Sequence, residues 1–124
     1  MDAIYKVSLK KLINECGLSV LYTPKDTNDI EITTNDVVRP GLQLDGFYKY
    51  FDPSRIQILG KMEFAFLNTL DSETRYERLK GLLSKEIPAL VITRNIKPFD
   101  EIIELAKEYN VPVLSSTEST SAAL

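Results

Sequence analysis

The chain has 124 residues, 44% hydrophobic and 27% charged, with a net charge of -3. That length and balance fit one soluble globular domain that buries its core without disulfides or metals. They exclude a basic nucleic-acid footprint, because the 15 lysines and arginines are scattered and Lys10-Lys11 is the one adjacent pair.

Along the chain, Ser8 is placed to cap a short helix running to about Cys16, with Leu9, Leu12 and Ile13 at helical spacing and Gly17 as its stop. Cys16, the single cysteine, rules out an intramolecular disulfide and reads as a small apolar side chain at that helix end. Leu18 to Tyr22 reads as a strand ending at Pro24, and Lys25 to Asp29 as a polar turn. Ile30 and Ile32 alternate with polar neighbours, as in a half-buried strand. Leu42 to Phe51 carries Leu42, Leu44, Phe47, Tyr48 and Phe51, which reads as a helix with Pro40 near its start and Asp52-Pro53 as its end. Core packing accounts for those aromatics more simply than a binding surface does.

From Arg55 onward the pattern sharpens. Ile56 to Leu59 is a strand closed by Gly60, and Met62 to Leu70 a short helix. Asp71 or Ser72 caps a longer helix carrying Tyr76, Leu79, Leu82 and Leu83 on one face. Ile87 to Thr93 is apolar without alternation, the signature of a strand covered on both faces in a parallel sheet, with Pro88 tolerated near its start. Pro98 fits the first turn of a further helix with Phe99, Ile102, Ile103, Ala106 and Tyr109 on one side, and Asn110 suits a left-handed C-terminal cap. Val111 to Leu114 is a third buried strand, and Ser115-Ser116-Thr117 a candidate cap for another helix. The expected fold is a single α/β domain spanning 1–124: a mainly parallel sheet with a βαβαβ unit flanked by helices. The first 50 residues add a more mixed element at one edge, and residues 117–124 read as a linker or truncated helix.

Local signatures of catalysis are missing. The chain has no histidine, which removes histidine acid–base chemistry and His-containing zinc sites and leaves Cys16 without an imidazole base. A phosphate-binding loop needs Gly-x4-Gly-Lys-Ser/Thr; Gly41 and Gly46 have the spacing, but Phe47-Tyr48 follows them. The dinucleotide glycine fingerprint is absent as well. Asp100-Glu101 and Glu104/Glu108 read as carboxylates on a solvated helix face. The N-terminus lacks the apolar core of a signal peptide, and no apolar run approaches the roughly 20 residues of a membrane helix, so the expected location is the cytoplasm.

Topology leaves one candidate site. In parallel sheets ligands favour the crevice beyond the carboxyl ends of the strands. Here that edge carries Lys61, Thr93, Arg94 and Ser115, a candidate anion or ligand edge whose plain alternative is that Thr93 and Ser115 turn the chain and Arg94 is a surface residue. Arg39 is a candidate contact for a partner carboxylate or phosphate; an intradomain salt bridge is the competing reading.

Four segments carry a family resemblance: Arg39-Pro-Gly-Leu-x-Leu-x-Gly46, Arg55-Ile-Gln-Ile-Leu-Gly-Lys61, Ile92-Thr93-Arg94 and Val111-Pro-Val-Leu114. They resemble the N-terminal domain of HPr kinase/phosphorylase, the bacterial enzyme that phosphorylates and dephosphorylates a serine of HPr. The resemblance implies a non-catalytic regulatory or assembly domain. The missing C-terminal kinase domain would hold the P-loop, ATP or pyrophosphate and a divalent metal (Mg). It also implies HPr and sister subunits of a hexamer as partners, and a role in carbon catabolite repression. No catalytic, cofactor or metal residue of the family carries over to this chain, so the isolated chain is expected to be inactive. The alternative is a freestanding regulatory module that binds an anionic metabolite at the edge of Lys61, Arg94 and Ser115. A freestanding enzyme is disfavoured, since no nucleophile–base pair can be assembled.

Overall fold

A computed structural model describes residues 7–26, 29–32, 37–38 and 55–117. The expected helix from Leu42 to Phe51, with Pro40, Asp52-Pro53 and Arg39, lies outside the described residues, as does the tail from 118 to 124.

The chain order is β1 (Val7–Ser8), α1 (Leu9–Cys16), β2 (Ser19–Tyr22), β3 (Glu31–Ile32), β4 (Val37–Val38), β5 (Ile56–Leu59), α2 (Lys61–Asn68), α3 (Ser72–Leu83), β6 (Leu90–Ile92), α4 (Asp100–Tyr109) and β7 (Val113–Ser115). Five strands form one sheet in the order β2-β7-β6-β5-β4. Its strands from β4 to β7 run parallel, and β2 closes one edge antiparallel to β7. The mixed character expected of the N-terminal part is therefore split. One of its strands lies at each edge of the main sheet, and β1 and β3 form a separate antiparallel pair.

Every residue of β5, β6 and β7 is buried. Side chains alternate across the sheet, and the two sets join two different apolar clusters. Leu59, Leu90, Ile92 and Val113 pack with Phe64 and Leu67 of α2, Leu79, Leu82 and Leu83 of α3, and Ile102, Leu105 and Ala106 of α4. Ile58, Val91 and Leu114 pack with Leu9, Leu18, Ile30 and Ile32, with Leu12, Ile13 and Cys16 half-buried at the rim. Successive parallel crossovers of one hand put their helices on one face, and α2, α3 and α4 do share a face. The opposite face is left to α1 and its neighbours.

Helix limits follow local chemistry. The Ser8 hydroxyl accepts from Lys11 N–H at 3.2 Å and starts α1. Gly17, left-handed at φ 65°, ends it and donates its N–H to the Ile13 carbonyl. Asp71 caps α3 by accepting from Thr74 N–H at 2.7 Å, and Asn110 ends α4 in the left-handed conformation at φ 58°.

Three expectations shift. Pro98 is not in the first turn of α4: Phe99 occupies the N-cap in extended conformation and the helix begins at Asp100, so Pro98 lies just before the cap. The third strand is displaced toward its carboxyl end, because Ser115 pairs with Ile92 and Ser19 and belongs to β7. The long apolar run from Ile87 to Thr93 contributes ladder residues at Leu90–Ile92, and its earlier part approaches the sheet through the bond from Gln57 N–H to the Ala89 carbonyl at 3.1 Å.

Two stability outcomes are expected. A Cβ at Gly17 would meet nothing within 4 Å, so the cost of Gly17→Ala is purely that of left-handed backbone. Urea unfolding should show a loss of about 1 kcal/mol, with Gly17→Asn recovering part of it. Asp71 is exposed, and its bonds from the Thr74 backbone hold its carboxyl below the usual value. Its stabilising contribution is therefore present above the unfolded-state pKa and is lost as pH falls through the lower folded-state pKa. In thermal melts between about pH 3 and pH 7, Asp71→Asn should flatten the acid limb while keeping an acceptor for Thr74.

Candidate ligand edge at the strand ends

The register of the parallel strands builds this edge. Leu59 lies opposite Ile92, and Ile92 opposite Ser115, so β5, β6 and β7 end level with one another. The residues that follow are stitched together by backbone bonds. Thr93 N–H donates to the Leu59 carbonyl at 3.1 Å, Ser116 N–H to Ile92 at 2.8 Å, and Asn95 N–H to Ser116 at 2.7 Å. After β6 the chain reverses in a turn closed by Ile96 N–H to the Thr93 carbonyl at 3.2 Å. Its two central residues, Arg94 (φ 57°) and Asn95 (φ 53°), are both left-handed, as in a type I′ turn. A non-glycine residue adopts that conformation at some cost, and here it lifts the Arg94 side chain into solvent.

The structure thus brings Lys61, Thr93, Arg94 and Ser115 onto neighbouring strand ends, but it does not present all four. Lys61 and Arg94 are exposed. Thr93 is fully buried and its hydroxyl oxygen has no hydrogen-bond partner among the described residues. Ser115 is a ladder residue, 7% exposed. Of these four, the two cations face solvent and the two hydroxyls do not.

Glu63 changes the chemistry further, and sequence reading missed it. Gly60 joins β5 to α2, the strand–glycine–helix junction at which an anion would meet unpaired helix amides. Gly60 N–H instead donates to Glu63 Oε1 at 2.6 Å, and Glu63 is only 7% exposed. The cap amide is taken by the helix's own buried carboxylate, the half of a capping box that a glycine cap allows. The signal was legible as a glutamate three residues after Gly60, but the serine or threonine that usually flags the motif is absent.

A second cluster lies beside this edge, where the first turns of α2, α3 and α4 meet. Arg75 Nε donates to Glu101 Oε2 at 2.7 Å, with both side chains about four-fifths buried. The Arg75 guanidinium also lies 4.3 Å from the centre of the Phe99 ring, and Phe99 stacks on Phe64 at 5.4 Å. Glu101 is therefore not the solvated carboxylate the sequence suggested. Position 101 falls on the flank of α4 that meets α3, and its partner is 26 residues away, beyond any local pattern. Asp100, Glu104 and Glu108 are exposed as expected.

Cys16 is half-buried, and burial together with the neighbouring Glu15 raises its pKa, so it stays a protonated thiol packed at the core rim. Among the described residues no group of three or more acids, cysteines or histidines is placed to hold a metal. None of their helices is long and apolar enough to cross a membrane.

The architecture defines an α/β domain of mainly parallel sheet, closed by helices on one face and by α1 and its neighbours on the other. By its sequence the chain belongs to the family described as HPr Serine kinase N terminus, which matches residues 7–124. It is 48% identical over 115 residues to a HPr kinase/phosphorylase of Clostridium botulinum (strain Eklund 17B / Type B). It is 38% identical over the same length to one of Streptococcus pyogenes serotype M5. In each case the match covers 93% of this chain and 37% of the relative. A similar fold, with a TM-score of 0.64 and 20% identity, occurs in the CBS and DRTGG domains of the regulatory region of Clostridium perfringens pyrophosphatase, crystallised with diadenosine tetraphosphate; the similarity covers 94% of this chain and 44% of that one.

The Arg75–Glu101 pair should couple α3 to α4. In a double-mutant cycle with Arg75→Met and Glu101→Gln, urea unfolding should return an interaction of about 1 kcal/mol. A value indistinguishable from zero would reduce the pair to an ornament of packing around Phe99.

Proposed function

We propose that this chain is a non-catalytic regulatory or assembly domain of a HPr serine kinase/phosphorylase. The observation that carries the reading is the extent of the match: relatives of that activity align with nearly the whole chain, while the chain spans 37% of their length. On this reading the phosphorylation and phosphorolysis of seryl-HPr, with ATP or pyrophosphate and Mg, belong to a C-terminal kinase domain. This domain acts through contacts with that kinase domain and with sister subunits of a hexamer, in cytoplasmic control of carbon catabolite repression. Arg39 remains a candidate partner contact.

Among the described residues, the Gly60 junction is a poor fit for the phosphates of ATP. Gly60 joins β5 to the start of α2, as the glycine-rich turn of a phosphate loop joins strand to helix, but its N–H is taken by the buried Glu63 carboxylate. A triphosphate placed there would face a like charge, so no step of phosphoryl transfer is assigned to these residues.

The purified chain incubated with HPr, ATP and Mg should give no phosphoserine on HPr. Transfer above a no-protein blank would overturn the reading.

A second reading is favoured by the exposed Lys61 and Arg94 on adjacent strand ends: a module that binds an anionic metabolite. Because Glu63 holds the helix end, the anion would be held by the two side chains and not by the amide of Gly60. Phosphorylated sugars, nucleotides and pyrophosphate at saturation should then stabilise the chain by about 2 kcal/mol or more in thermal-shift assays, and Arg94→Ala should abolish the shift. A flat response across the panel leaves the assembly role.

A further inference from the structure

We draw no further inference here: the strongest candidate, the outer edge of the five-stranded sheet at β2, where Val20 and Leu21 are 44% and 43% exposed and β7 is the one strand paired with β2 among the described residues, carries nothing because nothing in the structure shows what covers it.

Discussion

Burial of the three central strands on both faces is the constraint on which the rest of the structure depends. A strand covered on both sides has no polar face, so β5, β6 and β7 must be apolar at almost every position, and the chain must supply two separate layers to cover them. The three helices between β5 and β7 cover one face, and α1 with the residues around β3 covers the other. The N-terminal segment is thus the second wall of the core. Gln57 is the polar exception within β5. It is fully buried within β5, donating from Nε2 to the Arg55 carbonyl at 2.9 Å, while its Oε1 has no partner among the described residues.

The same constraint explains how much of the fold could be read from sequence. The run Ile87 to Thr93 announced a doubly covered strand because it lacks alternation, and the structure buries every member except Pro88, which is half-buried. Helix ends at Ser8, Gly17, Asp71 and Asn110 were legible because each rests on one side chain or one backbone conformation acting within a few residues. Phe99 was misread for a related reason. Its apolar character suited a helix face, but contacts with Phe64 and Arg75, both more than twenty positions earlier, hold it at the cap. Of the β1–β3 pair, β3 was legible through the alternation of Ile30 and Ile32 with polar neighbours, whereas β1 had no signature, since a two-residue strand is too short to show any period.

The candidate edge was legible as a place and much less so as chemistry. Topology placed Lys61, Thr93, Arg94 and Ser115 at one end of the sheet, and the level register of β5, β6 and β7 does bring them to neighbouring positions. Which of them reach solvent depended on details that sequence does not encode locally. Ser115 is drawn into the ladder by pairing on both sides, and Thr93 is buried at the start of a turn whose left-handed residues are arginine and asparagine instead of glycine.

Glu63 gives the strand–helix junction after β5 a property of its own. A helix start is ordinarily an open electrostatic socket, and solutes of the right sign compete for it. Here the plug is covalently tethered three residues away, so its effective concentration at the socket is set by chain geometry rather than by the composition of the surrounding solution. The junction is thereby biased against anions: phosphate or sulfate in the medium meets a cap amide already taken and a carboxylate of its own sign beside it.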